Sequence, residues 1–244
     1  MLIRSFVAAL LLTLATPFAT SAATPDYVSK AVADPSRPKA DTDRDALRLP
    51  AETITFAGVK PGMKVGELAP GGGYFTRMLS DVVGPSGHIY GVENKQWDDG
   101  SDAKVAAAVK NHNVTMQDGQ FGDVHLPEKV DLFWVTQNYH DMHIAKYNPV
   151  DIATFNKDVF DALKPGGVYF ITDHQANPGT DDAQIAKLHR IEKAQVIREV
   201  EAAGFKLAGE GDALHRTGDD HTKSIFDKSI RGHTDQYMLR FVKP

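Results

Sequence analysis

The stretch Met63-Lys-Val-Gly-Glu-Leu-Ala-Pro-Gly-Gly-Gly-Tyr-Phe-Thr76 decides the fold. Apolar and small residues lead to one acid, Glu67, and then to Gly71, Gly72 and Gly73. Phe75, Met78, Leu79, Val82 and Val83 follow on one face of a helical repeat. That order predicts strand, tight turn, helix. Glycine belongs in such a turn where a Cβ would block a ligand's approach or where φ is positive. The helix N-terminus beyond it offers unpaired N–H groups to a ligand. A second strand, His88-Ile-Tyr-Gly-Val-Glu93, ends in an acid about 20 residues after the glycines, where a βαβ nucleotide site carries its ribose-binding carboxylate.

Downstream the same alternation continues. Asp102 to Asn111 is an alanine-rich helical segment, and Asn113 to Gln117 a short third strand ended by Asp118. Lys129 to Gln137 is a near-continuous apolar run, as in a parallel strand buried on both faces. Asp151 to Leu163 has helical amphipathic spacing, and Lys164-Pro-Gly-Gly167 ends it before a fifth strand, Val168 to Thr172. Asp181 to Gly204 reads as helix with one polar break. Phe205 to Leu214 and Gln236 to Val242 alternate as strands on either side of a long loop. A chain of 244 residues fits one α/β domain with additions at its ends. The formal charge of -5 is spread through the chain, with no basic run to track phosphates, which argues against a nucleic-acid partner.

The order acid, glycine loop, helix, strand, acid resembles the class I S-adenosylmethionine (SAM) methyltransferases. So does Leu163-Lys-Pro-Gly-Gly167 before an apolar strand. The resemblance implies a Rossmann-like seven-stranded, mostly parallel sheet with helices on both faces and one late strand inserted antiparallel. It implies SAM as cofactor and a small-molecule acceptor. Glu67 and Gly71 to Gly73 would lie beside SAM, with Glu93 on the ribose hydroxyls, Asp118 at the adenine amino group and Asn138 at the cofactor edge. Ala69 stands where the family usually has its first glycine; it is small enough to take that place in the cofactor loop. Asn138-Tyr-His-Asp141, Asp173-His174, Leu188-His-Arg-Ile191 and Asp219-Asp-His-Thr-Lys-Ser224 are similar to a group of exported methyltransferases.

Residues 1–23 have the layout of a secretory signal peptide: Arg4, an apolar run from Phe6 to Leu14, then small residues up to a cut near Ala22 or Ala23. The run is short for a membrane span, so no stable anchor is expected after cleavage, and the location implied is periplasmic or secreted. There is no cysteine, hence no lipid attachment at the cut and no disulfide frame. Residues 24–60 form a charged, helical N-terminal extension, which the resemblance casts as a lid, and 61–244 the methyltransferase-like domain. Arg44 and Arg48 of the extension belong to a solvated helix face or reach an anionic group.

Ligands of open α/β sheets sit beyond the C-terminal strand ends. The fourth strand runs out at Asn138-Tyr-His-Asp141 and the fifth at Asp173-His174, so two histidines and two carboxylates converge at the acceptor's place. His189, Arg190 and Glu192 on the next helix would line the far wall, and Asp219 to Lys223 would add to it. Three chemistries fit. His140 is a general base for the acceptor, with Asp141, Asp173 and His174 around it. Alternatively, His140 and His143 share a helix face and hold a divalent metal with Asp141, Asp173 or His174, although the spacing is no established metal signature. Or the histidines only tie strand ends together. Tyr139 either stacks on a ligand or packs in the core. Two further readings of the whole protein remain: a catalytically silent binding protein on this scaffold, and a metal-dependent enzyme built on the His/Asp cluster.

Overall fold

The computed structural model describes residues 23–94, 101–119, 122–147 and 151–244. The expected signal segment, up to residue 22, lies outside them. The chain opens with four short helices, α1 (Asp26–Val32), α2 (Lys39–Thr42), α3 (Asp45–Arg48) and α4 (Pro50–Ala57). Then come β1 (Lys64–Leu68), α5 (Tyr74–Val83), β2 (His88–Asn94), α6 (Ser101–Ala108), β3 (Val114–Gly119) and β4 (Val130–Thr136). A 3-10 turn at His140–His143 leads to α7 (Ile152–Ala162) and β5 (Leu163–His174). The chain ends with α8 (Asp182–Leu188), α9 (Lys193–Ala202), β6 (Lys206–Gly211) and β7 (Gln236–Val242).

The strands form one sheet in the order β3-β2-β1-β4-β5-β7-β6. All neighbours are parallel except where β7 inserts antiparallel between β5 and β6. This is the expected seven-stranded sheet. Its centre is β4, whose apolar run is buried because both faces are covered. Alternate residues point to opposite faces. Leu132 and Trp134, with Phe170 of β5, pack under α1, α4 and α5. Phe133 and Val135, with Tyr169 and Ile171, pack under α7, α8 and α9. Burying an aliphatic or aromatic side chain of this kind contributes roughly 1.5–3 kcal/mol each. The N-terminal helices share this core: α1 packs on α5, and α4 on α1 and β7, with Val28, Ala31, Ile54 and Ala57 buried. No helix among the described residues is long and apolar enough to cross a membrane.

The elements depart from the sequence reading in a few places. The charged segment Asp41 to Leu49 divides between two short helices with a break at Asp43 and Arg44, and Leu49, with a left-handed φ of 42°, ends the second and turns the chain into Pro50. The helical stretch from Asp181 to Gly204 has its one expected polar break, at His189 to Glu192, but the break makes a strand contact that the pattern does not show. An Asp181–Gln184 capping box starts α8, which stops at His189 with φ 55°. Ile191 then lies beside β5 in a short parallel bridge with Gln175, with Ile191 N–H donating to His174 C=O at 3.0 Å. A local helical pattern gives way here to a long-range strand contact.

Ala69 also has positive φ, 48°. Its small size does not remove the cost of that conformation, about 1–2 kcal/mol for an L-residue. Glycine would relieve it but lose more entropy on folding, about 0.4–1 kcal/mol. Ala69→Gly is therefore expected to stabilise the fold by about 0.5–1 kcal/mol, a rise of about 2–3 °C in melting temperature. A lower melting temperature would remove the strain.

Candidate functional site

The C-terminal ends of β1, β4 and β5 open into a cavity of about 580 Å³. Such a volume suits a small organic ligand. At one end β1 delivers Glu67 to the glycine loop. Gly71 N–H donates to Glu93 Oε2 at 3.0 Å, so the acid closing β2 is held against the loop. A Cβ built on Gly71 or Gly72 would meet no atom within 4 Å, and both residues line the cavity. Gly73 differs: its Cβ would come within 2.4 Å of Val105, so this glycine serves the packing of α6. Ala69 lines the cavity too. Asp118 is next to last in β3, in register with Glu93, and its side chain lies outside the described residues.

An acid and a guanidinium, Glu67 and Arg48, meet at the loop end of this cavity. Glu67 is 3% exposed, and its Oε2 has no hydrogen-bond partner. Burial, reinforced by the nearby Glu93 charge, pushes its carboxyl up to about 8, against the partial relief given by the neighbouring Thr76 hydroxyl and then by Arg48 and Arg77. Arg48 lies with its guanidinium 4.4 Å from the Tyr74 ring centre and 4.9 Å from that of Phe75. Burial, then Arg44, lower its pKa to about 10. Among the described residues Arg48 has no ion-pair partner; it donates to Gln137 Oε1 at 3.3 Å. Glu67 and Arg48 each feel the other's charge, yet they do not pair. Arg48 is thus turned inward, not part of a solvated helix face. Arg44 is half-exposed and pairs with Asp41 at 3.1 Å. The extension is tied down by its carboxylates: Asp41 accepts from Arg77, and Asp45 from Arg37 and the Tyr74 hydroxyl.

At the other end stand His140, Asp141 and His189. His140 is 1% exposed. Its Nδ1 lies 2.7 Å from Asp173 Oδ1, and its backbone N–H donates to Asp173 Oδ2 at 2.8 Å. Asp173 also takes the His174 N–H at 2.7 Å. It is fully buried behind His140 and orients that ring instead of facing the acceptor. Burial disfavours the imidazolium, but the Asp173 and Asp141 charges outweigh it and raise the His140 pKa well above its ordinary value. Burial would likewise raise Asp141, yet the His140 and His189 rings hold its carboxyl well below the usual range. In this setting His140 keeps its proton, which speaks against a free base. Asn138 Nδ2 donates to Asp141 Oδ2 at 3.1 Å.

The remaining predicted residues scatter. His174 lines the cavity, but its Nδ1 lies 2.8 Å from the Thr234 hydroxyl, and burial lowers its pKa to about 3, leaving it neutral. His143 does not join His140: its ring sits 3.2 Å from both Asp182 and Glu199. Tyr139 is in the core, bonded to Glu199 and Asn156. Arg190 does not line a wall. It is buried and held by Asp219, Lys223 C=O and Gln175 C=O. His215 and His221 both bond Asp235. The inward turn of Arg48 and the direct contact of His189 with His140 escaped sequence reasoning. Leu188-His-Arg-Ile191 held a signal for the second, since its histidine follows the last turn of a helix.

Comparison with known proteins places this geometry in a wider fold. The family described as protein-L-isoaspartate(D-aspartate) O-methyltransferase matches residues 33–126, under half of the chain's 244 residues. A search of curated proteins finds no match. Among solved structures, an Aquifex aeolicus SAM-dependent methyltransferase is similar with a TM-score of 0.59 at 17% identity, covering 89% of this chain and 98% of that one. The arsenic(III) SAM methyltransferase CrArsM of Chlamydomonas reinhardtii gives 0.57 at 18%, covering 89% and 73%. The cyclase SpnF gives 0.58 at 18%, covering 84% and 81%. At these identities the likeness is one of fold, and the fold is that of the class I methyltransferases.

Proposed function

We propose that the protein is an exported SAM-dependent methyltransferase acting on a small molecule. The observation that carries the reading is that Glu67 and Arg48, neither with an ion-pair partner among the described residues, share one cavity beside an open glycine loop. An acid that loses its proton when a cation binds, together with a nearby guanidinium, suits a zwitterionic amino-acid head such as that of SAM, with Arg48 on the carboxylate and Glu67, deprotonated on binding, on the ammonium. Glu67 Oε2 lacks a partner in their absence, and a buried unpaired polar atom costs about 1–3 kcal/mol. Glu93, whose Oε2 accepts from Gly71 N–H, would take the ribose hydroxyls, the role the resemblance gives it. Bound SAM would supply an electrophilic methyl group on sulfur. The protein's part is to fix that methyl in line with an acceptor at the His140 end and to keep water out. The apolar Ile225 and Phe226 and the Tyr147 ring line the same cavity and would cover the acceptor. The pattern of residues 1–23 supports export, so SAM would have to meet the protein outside the cytoplasm.

Calorimetric titration with SAM and its demethylated product tests this reading. Binding at about micromolar affinity is expected, roughly -8 kcal/mol. Glu93→Ala is expected to weaken it by more than about tenfold, the value of a charge-assisted hydrogen bond. Absence of binding by the parent protein would refute the function. Equal binding by the variant would remove only the ribose role of Glu93. Transfer of labelled methyl to a small-molecule fraction would separate an enzyme from a silent binding protein.

A further inference from the structure

We infer that His140, Asp141 and His189 form a tetrahedral site for one zinc-type divalent ion, with its fourth position open to the cavity for the acceptor's thiol or hydroxyl. The assignment of the fourth position rests on the methyltransferase reading; the three ligands do not.

The first argument is the triangle of donor atoms. His140 Nε2 lies 3.3 Å from His189 Nδ1 and 3.3 Å from Asp141 Oδ1, and His189 Nδ1 lies 3.5 Å from Asp141 Oδ1. Donors about 2.1 Å from a tetrahedral ion are about 3.4 Å from one another, whereas neighbouring octahedral donors are about 3.0 Å apart. The observed sides fit the first figure. They are too long for a cluster held by strong hydrogen bonds. The contrast is internal: the charge-assisted His140–Asp173 contact is 2.7 Å.

The second argument is the layer behind the ligands. A metal-bound histidine usually gives its other ring N–H to a carboxylate, which fixes the tautomer and aims the free nitrogen. Asp173 does this for His140 Nδ1, and so leaves Nε2 for the ion. Asn138 holds the second oxygen of Asp141 in the same way. Two imidazoles with one carboxylate suit zinc and its neighbours better than magnesium or calcium, which prefer oxygen. All three ligands line the cavity shared with Gly71 and Glu67, so the open position faces the space where an acceptor would sit. Phe226, 4.8 Å from the His189 ring, supplies an apolar wall there.

The site changes the chemistry assigned to His140. With Nδ1 committed to Asp173 and Nε2 to the ion, His140 cannot serve as the base. The ion takes that task. The acceptor X–H binds it through X and loses its proton to solvent. The X lone pair then forms the new C–X bond as the methyl C–S bond breaks. A methylated acceptor and a neutral thioether result, with no change of oxidation state. The acceptor class is a small thiol, or a hydroxyl compound acidic enough to ionise on zinc.

The test is to strip the full chain with a chelator, dialyse it against Zn²⁺ and count bound metal, then repeat with Co²⁺ to read coordination from its visible spectrum. About one ion per chain and a four-coordinate Co²⁺ spectrum are expected. His189→Ala should lower zinc affinity by more than about 100-fold, and Asp173→Asn by about 10–100-fold. His189→Asn keeps a residue that tolerates the left-handed backbone, so loss of metal there does not come from misfolding. His215→Ala, at a different histidine cluster, should leave zinc binding unchanged. No retained zinc, or retention unaffected by both His189 variants, would overturn the site. Titrating the same preparations with SAM separates the two readings: SAM binding by a protein that holds no zinc removes the metal alone. Zinc held by the triad without SAM binding keeps the ion site and removes the methyl-transfer role.

Discussion

Replacing Arg190 by methionine is expected to destabilise the protein by about 3–5 kcal/mol, the range for breaking a buried ion pair from one side. Arg190 is 0% exposed. Its guanidinium donates to Asp219 Oδ1 at 3.0 Å, to Lys223 C=O at 2.8 Å and to Gln175 C=O at 3.0 Å. Methionine fills much of the same volume but leaves the Asp219 carboxylate buried without its cation. Asp219 also takes the backbone N–H groups of Asp235 and His221, so the loop before β7 loses its anchor as well. At about 2–4 °C per kcal/mol for a chain of this size, the melting temperature should fall by about 6–20 °C. Adding Asp219→Leu should recover part of the loss, because the stranded charge is then gone. A single-variant cost under about 1 kcal/mol would show that the pair is not a structural strut. The effect reaches the site, since Arg190 fixes its neighbour His189 and the loop that carries Phe226. Any ligand bound at His140 and His189 should be weakened along with the fold.

This strut shows where the sequence was legible and where it was not. Strand, loop and helix around Glu67 and Gly71 to Gly73 follow from local spacing, and so do the buried run of β4 and the late strand pair. Local pattern could also place Asn138, His140, Asp141 and His174 at the cavity, because a residue just beyond a parallel strand has few other places to go; it left Tyr139 open between ligand and core, and the core claims it. Side-chain direction was not local. Arg48 looks like one more charge in a polar helix, and only the rings of Tyr74 and Phe75 turn it inward. His143 and His140 share a short turn, but Glu199 on α9 claims the first and Asp173 on β5 the second. His189 reaches His140 because Ile191 pairs with β5 and ends α8 early, a contact invisible to any periodicity.

A large pH effect should come from Glu67. An acid whose carboxyl is pushed up to about 8 by burial binds a proton in the folded state that the unfolded chain has already released. The sign follows: stability is fully present below the unfolded value near 4.5 and is lost as pH rises through about 8. Glu67→Gln keeps the shape and carries no charge, so it should be more stable than the parent by about 3–5 kcal/mol at about pH 9 and nearly equal to it at about pH 4. Chemical denaturation across that range reads the difference directly. Cofactor binding should run the other way. A cationic head opposite Glu67 favours the carboxylate, so each binding event expels the proton. Affinity for SAM should then rise by nearly tenfold per pH unit, about 20–30-fold from about pH 6 to about pH 7.5. Calorimetry in two buffers of different ionisation enthalpy should report close to one proton released per ligand in the lower part of that range. In Glu67→Gln both the slope and the proton release should vanish, and the remaining affinity should be low at every pH. If the parent's affinity is flat while Gln at this position raises stability, Glu67 is a buried acid without a ligand cation beside it. The ammonium must then be sought elsewhere along the cavity.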